Sequence, residues 1–366
     1  MTEHLRRKFA DRRFLLFLGI LVVFGLVALT SASAPVGYQK FGDTYFFIKR
    51  QLLYGLLPGV ILFILFAKLN QDIWRKISWG VYLLSVVLLI LVFVPGVGLV
   101  LNGSRSWLTI GPLTFQPAEF TKLALILITA YLLTDKKRDF SDWRYGLLPA
   151  LILLAPSLVL VLLQPDLGTL SIMIVIVFAM LYLARVPKVY IIVLGLIGLV
   201  VFTGLIFAAP YRVKRFTTFL HPELDPQGVG YHMNQAFLAV GSGGFWGLGL
   251  GHSRQKYQYL PEVAADSIYA VVAEEMGFVI AAGLVVLVVL LGWQGMRIAK
   301  QSPDAYSRLL VSGIMVWFIW QSFLNIGAMV GAMPLTGVPL PLVSHGGSAM
   351  MTMLAAMGIV AGISKS

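Results

Sequence analysis

One carboxylate set among several cations is the inventory in this chain that could do chemistry. In YLPEVAADSIYAVVAEE (259–275), Asp266 stands just before a long apolar run. Two readings are open there. An aspartate caps a helix by accepting backbone N–H groups, and a positioned carboxylate can also act as a general base. Upstream, Arg212 and Arg215 lie three apart and can share a helix face. Guanidinium forks suit phosphate oxygens. Lys256 and Arg105 are further cations outside the apolar runs. Asp166, in QPDLGTL (164–170), reads either as a turn or capping residue or as a carboxylate lining a cavity. In LNGSRSWLTIGPLTFQPAEF (101–120), Pro117 suits the first turn of a helix. Glu119 and Lys122 follow at i,i+3 and can pair. That pair either pins a helix or supports a site, because ionisable groups at membrane depth face the protein interior.

Three other features carry weaker signals. Glu274 and Glu275 lie about 12–13 Å beyond Asp266 along a helix. Carboxylates that deep need partners or become protonated, and they read as polar packing contacts between helices. Gly241, Gly243, Gly244, Gly247, Gly249 and Gly251 permit close approach, of a phosphate or of another helix. They match neither a P-loop nor a dinucleotide fingerprint. His345, in PLTGVPLPLVSHGGSAM (334–350), reads as a packed polar residue.

The composition decides what must position these groups. Of 366 residues, 58% are hydrophobic and 12% charged, and the mean hydropathy is +0.86. Soluble domains average about 25% charged residues, so this is an all-α polytopic membrane protein. With no cysteine, disulfides, thiolate metal sites and a cysteine nucleophile are excluded. The five histidines are scattered, with no helical zinc spacing and hence no metal site. The net charge of +12 is dispersed between apolar runs. It reads as topology signals and anionic-lipid contacts rather than a nucleic-acid surface.

Ten apolar runs are expected to be helices: 14–30, 51–67, 78–100, 118–133, 147–163, 168–184, 189–209, 267–293, 309–330 and 346–363. The whole chain, 1–366, reads as a single transmembrane domain. Most of the 28 cations fall on one side if the N-terminus is inside, which places both termini in the cytoplasm. The segment from about 210 to 266 then becomes a long outer loop between helices seven and eight. Its aromatic and glycine content points to a folded, partly helical segment rather than disorder.

In this order the motifs form a signature. QPAEFTKLAL (116–125), QPDLGT (164–169), RFTTFL (215–220), DPQGVGY (225–231), GSGG (241–244), YLPE with Asp266 and AVVAEE (270–275), and VPLPLVSHGGS (338–348) occur in sequence. Together they resemble the SEDS family (shape, elongation, division and sporulation) across nearly the whole chain. Ser253-Arg254-Gln255-Lys256 and the 31–52 segment look more like its division and sporulation branch than its elongation branch. The resemblance implies a peptidoglycan glycosyltransferase that polymerises lipid II outside the cytoplasmic membrane. It also implies a class B penicillin-binding protein as partner, among other division or elongation membrane proteins. By resemblance Asp266 matches the essential aspartate and Glu119 with Lys122 a supporting pair. Asp166, Arg212 and Arg215 match residues around the outer cavity. The chain departs from the family where Ala264, Ala265 and Ser267 flank the aspartate, since the family usually has a polar pair before it and Phe after it. It departs again at His345, where Tyr is usual.

The chemistry agrees independently. A lipid-linked pyrophosphoryl donor needs cations around its phosphates, and its acceptor hydroxyl needs one base. Inverting the anomeric carbon takes one displacement without a covalent intermediate. No cofactor is required, although a divalent cation could supply part of the positive charge. A lipid II flippase and a non-enzymatic division scaffold are the competing classes. The first would show inverted repeats, and the second leaves the cations and Asp266 unexplained.

Overall fold

A computed structural model describes residues 10–101, 104–111, 113–136, 138–140, 142–207 and 210–365. Helix α1 (Arg12–Phe41) opens on Asp11, whose side chain accepts from the Phe14 N–H. The helix was expected to stop near Thr30 but continues through Pro35 to a left-handed Gly42. Buried Ala32, Ser33 and Gly37 keep its far half packed. In membrane helices a proline is tolerated where neighbours satisfy the freed carbonyl.

The next span, Phe46–Phe66, is α2 (Phe46–Gln51), a π-helical turn (Leu52–Leu56) and α3 (Leu57–Phe66). After α4 (Gln71–Leu91), the expected helix through Val100 is not formed. Strands β1 (Gly98–Leu101), β2 (Ser104–Ile110) and β3 (Leu113–Phe115) make an antiparallel β1-β2-β3 sheet there. Pro95 and left-handed Gly96 (φ 83°) end the helical run, and the Val, Trp and Thr that follow suit strands. The apolar character continues across the boundary, so hydropathy alone does not show it.

Helix α5 (Pro117–Leu133) starts on Pro117 and is buried along most of its length. A second π-helical turn (Trp143–Leu147) leads into α6 (Leu148–Leu163), followed by α7 (Leu167–Leu183) and α8 (Lys188–Phe207). The long connection holds α9 (Pro210–Leu220), a 3-10 turn (Pro222–Leu224) and α10 (Val229–Ser242). The chain closes with α11 (Ile268–Gln301), α12 (Ala305–Met329) and α13 (Gly347–Ile363). Six helical stretches are long and apolar enough to cross a membrane, with shorter apolar helices beside them. The fold is all-α and polytopic. Its apolar segments follow the ten expected runs.

Two packed clusters meet at α5 and α7. One gathers α1, α11, α12 and α13, and the other α4 and α6. Helix association in lipid relies on close packing rather than expulsion of water. Gly25 of α1 illustrates this: a Cβ there would run into the backbone of Leu342 and Val343. The 334–346 connection is thereby pressed against α1 at the same end of the bundle as the long loop.

Helix α11 is broken. Gly277 has φ 76° and ψ 179°, so residues 268–276 form a separate half-helix. The break is closed by the glycine-rich segment. Leu248 and Gly249 N–H groups donate to the Glu274 and Glu275 carbonyls at 3.0 and 2.9 Å. The Phe278 N–H donates to the Gly244 carbonyl at 2.9 Å. A Cβ at Gly277 would collide with the Gly247 backbone nitrogen, and one at Gly247 with the Glu275 carbonyl. At these positions the glycines serve backbone packing, the second of the two readings.

Candidate active site

Asp266 precedes this half-helix and does not cap it. The N-cap of α11 is Ser267, which makes no side-chain cap bond. Asp266 is 9% exposed. Its backbone carbonyl accepts from Asn325 Nδ2 at 2.8 Å, and the same amide donates to the Val338 carbonyl at 2.9 Å. Asn325 thus ties the aspartate to the proline-rich connection. Gly337, left-handed at φ 72°, sits in that connection, and a Cβ there would come 4.0 Å from Asp266 Oδ2. The His345 N–H donates to the Ala264 carbonyl at 2.8 Å, adding a second tie.

The network runs on to α5. Gln321, one helical turn before Asn325, donates through Nε2 to the Pro339 carbonyl at 2.9 Å. Its Oε1 accepts from Lys122 Nζ and from Trp317 Nε1, both at 2.7 Å. Lys122 Nζ also donates to Glu119 Oε1 at 2.7 Å, and the pair is essentially excluded from solvent. The ammonium lies 5.0 Å from the Trp317 ring centroid, a cation–π distance. Glu119 and Lys122 therefore pair as their spacing suggests, on the helix that reaches the Asp266 connection through Gln321.

The other expected residues are more dispersed. Asp166 caps α7, accepting the Thr169 N–H at 2.9 Å. Arg105 is exposed on β2, and its Nη1 donates to the Phe93 carbonyl at 3.4 Å. Arg212 and Arg215 lie on α9, three positions apart, and their side chains fall outside the described residues. Between them Lys214 pairs with Asp225 at 3.1 Å, and Asp225 also accepts the Val229 N–H at 3.0 Å. The hydrogen bond from Lys214 holds the Asp225 carboxyl below the usual range.

Lys256 is a correction to the expectation of a phosphate contact. It is 3% exposed and turned inward, with Nζ 2.6 Å from Glu275 Oε1. Glu275 Oε2 accepts from Ser31 Oγ of α1 at 2.6 Å. Glu274 accepts from Ser253 Oγ and from the Arg254 N–H. Both glutamates are thus satisfied packing contacts, and Lys256 belongs to them. A cation in a polar loop gives no sign of direction in sequence.

The chain matches the cell cycle protein family of FtsW, RodA and SpoVE over residues 11–366. It belongs to that family. The chain is 41% identical over 348 residues to stage V sporulation protein E of Bacillus subtilis (strain 168), covering 94% of each. It is 36% identical over 370 residues to a probable peptidoglycan glycosyltransferase FtsW of Trichlorobacter lovleyi (strain ATCC BAA-1151 / DSM 17278 / SZ), covering 100% of this chain and 96% of that one. Its fold is similar, at a TM-score of 0.80 with 29% identity and 97% of both chains covered, to a chain of a peptidoglycan synthase complex that coordinates polymerisation and crosslinking. It is also similar to RodA of Thermus thermophilus, at a TM-score of 0.71 with 30% identity, covering 97% of this chain and 96% of that one.

Against this FtsW/RodA/SpoVE background, two residues that hold the site were not singled out from sequence. Gln321 and Asn325 are polar groups at i,i+4 within an apolar run, the arrangement that marks interior-facing function in membranes. That signal was readable. His345 is packed edge-on to Phe47 at 5.1 Å, and burial first, then Arg50, pushes it down to about 4. It is neutral and packed, as its sequence setting suggests. Among the described residues, no group of three or more His, Asp or Glu side chains could hold a metal ion.

Proposed function

We propose that this membrane-embedded peptidoglycan glycosyltransferase polymerises lipid II at the outer face of the bacterial cytoplasmic membrane, with Asp266 as its base. The observation that carries the reading is the placement of Asp266. It leads a detached half-helix whose N-cap position is Ser267, and its backbone is fixed by Asn325 to the connection before α13. The acceptor sugar's 4-hydroxyl would attack the donor's anomeric carbon while the bond to the pyrophosphate oxygen breaks. Asp266 would take the hydroxyl proton, and the pyrophosphate would leave with the bonding electrons. Arg212 and Arg215 of α9, with Arg105, are proposed to neutralise the phosphates. Glu119 and Lys122 support the aspartate through Gln321, and Asp166 shapes the cavity edge by fixing the start of α7. A divalent cation could share the phosphate charge, and no residue set is assigned to it.

The proposed setting has residues 1–366 as one transmembrane unit with both termini cytoplasmic, at the division septum or along the growing wall. A class B penicillin-binding protein would cross-link the product. The synthase complex among its structural neighbours supports that partner. Cysteines at Gln227 and at Ser302 test orientation with an impermeant thiol reagent. Only the first should react in intact cells.

The decisive experiment measures glycan polymer from purified lipid II by wild type and Asp266→Asn, with partner present and thermal stability matched. Loss of a general base lowers turnover by about 10²–10⁴-fold. An Asn variant that polymerises like wild type would falsify the assignment. A parallel liposome assay for lipid II translocation separates polymerase from flippase.

A further inference from the structure

We infer that His232 is a positioning residue for Asp266, acting through the Ser267 hydroxyl. The inference rests on Asp266 being the base. His232 belongs to α10 and Ser267 to the start of α11, and the fold brings His232 Nε2 within 2.6 Å of Ser267 Oγ. The same Oγ lies 2.8 Å from the Pro261 carbonyl and 3.5 Å from Asp266 Oδ1.

Proton counting gives these contacts a direction. A serine hydroxyl has one proton and two lone pairs, whereas a carbonyl and a carboxylate only accept. Ser267 must therefore donate to Pro261 or to Asp266. The contact with His232 is then made by a ring Nε2–H donating into Oγ. That bond occupies one lone pair and restricts the serine proton to the Pro261 carbonyl and the Asp266 carboxylate. Burial holds His232 down at about 4, so the ring stays neutral across the working pH range and keeps offering the same donor.

A second observation agrees. Serine is a favoured N-cap, yet Ser267 occupies the N-cap of α11 without capping it. Its hydroxyl is directed back toward the turn that carries Asp266. That turn is itself set by Glu262, left-handed at φ 48°, whose carbonyl accepts from the Ala265 and Ser267 N–H groups. A left-handed non-glycine residue is held only by surroundings that over-determine it. Ser267 also stands where the family resemblance predicts Phe, so this device belongs to this chain's own residues.

A hydroxyl that can donate to a carboxylate favours its charged form and lowers its pKa. Among the described residues, titratable or charged groups on the segments that meet this turn include Glu262 in the turn itself and His345 and Arg50 beyond Ala264. A further one is the Glu119–Lys122 pair, reached through Asn325 and Gln321. None of them is altered by changing Ser267 or His232.

The test is the pH profile of lipid II polymerisation by the full-length protein with its partner. Ser267→Ala and His232→Met should each move the acid limb up, by about half to one pH unit. His232→Gln carries an amide N–H to nearly the same place and should keep the wild-type limb, and Ser267→Thr should do likewise. If His232→Met does not fold, the Ser267→Ala and Ser267→Thr pair decides. A profile lowered as a whole without a moved limb would mean a purely structural role and overturn the inference. A limb that moves as far in His232→Gln as in His232→Met would overturn it too. If Asp266→Asn polymerises normally, the base reading falls first and this inference with it. An inactive Asp266→Asn with unmoved limbs leaves the base standing and removes only His232.

Discussion

The half-helix 268–276 carries buried charge at both ends, and the two ends are built differently. At the Gly277 end, Glu274 and Glu275 offer four carboxylate oxygens, and each receives a donor: Ser253 Oγ, the Arg254 N–H, Lys256 Nζ and Ser31 Oγ. At the Asp266 end, the network through Asn325, Gln321, Lys122 and Glu119 is incomplete. Glu119 Oε2 and Asn325 Oδ1 are buried and meet no hydrogen-bond partner among the described residues. Buried polar groups are nearly always paired, and each exception asks for a reason. A saturated cluster is a fastening. A cluster that keeps acceptor capacity costs stability and is retained where chemistry is done.

Breaking the fastening should have the largest effect on stability. Lys256→Met leaves Glu275 buried without its cation, which costs about 3–5 kcal/mol. Thermal unfolding in detergent should show a large drop, and Lys256→Met with Glu275→Gln should recover part of it. A small drop in the single variant would make the two ends equivalent and break the contrast.

Next comes the Glu119–Lys122 pair. Either neutral substitution alone should impair the protein more than the double substitution does relative to additivity. Buried pairs of this kind couple by about 0.5–3 kcal/mol in double-mutant cycles. Unfolding and polymerisation measured on all four proteins give the coupling, and an additive result would dissolve the pair.

A smaller effect is expected at Asn325. Asn325→Leu removes two hydrogen bonds but also an unpartnered buried oxygen, so stability should fall by about 1–3 kcal/mol or less. Polymerisation should fall further than stability explains, because the Asp266 backbone is released. Equal losses in both would place Asn325 with the fastening.

Arg105→Ala should be the mildest in stability, within about 0.5 kcal/mol, since the side chain is exposed. Its expected signature is a raised KM for lipid II. An unchanged KM would remove Arg105 from the phosphate set.

Much of this contrast was written into the residue order. The ten apolar runs are set by composition over about twenty residues, which is why hydropathy finds them. The Glu119–Lys122 pair is local, three residues apart on one helix, and local spacing is legible. Lys256 and Glu275 find each other only after the loop folds back on a broken helix, and no spacing encodes that. The break itself is hidden because a single glycine in an apolar run is tolerated in helices. The sheet escaped for a different reason: its first strand, Gly98–Leu101, continues the apolar run of the helix before it. Asp266 stood out by its position, but that the helix begins one residue later, with Ser267 at its N-cap, was not legible there.

The interrupted α11 also has a consequence for how the chain is built. As a nascent segment, 268–301 is apolar enough to enter the bilayer as one unbroken rod. It cannot open at Gly277 in lipid on its own, because the carbonyls of Glu274 and Glu275 would face hydrocarbon unpaired. The backbone of residues 244–249 must arrive first and take them over. Membrane insertion and formation of the half-helix are therefore separate events, and a polypeptide halted before loop docking would be fully integrated yet lack the broken α11.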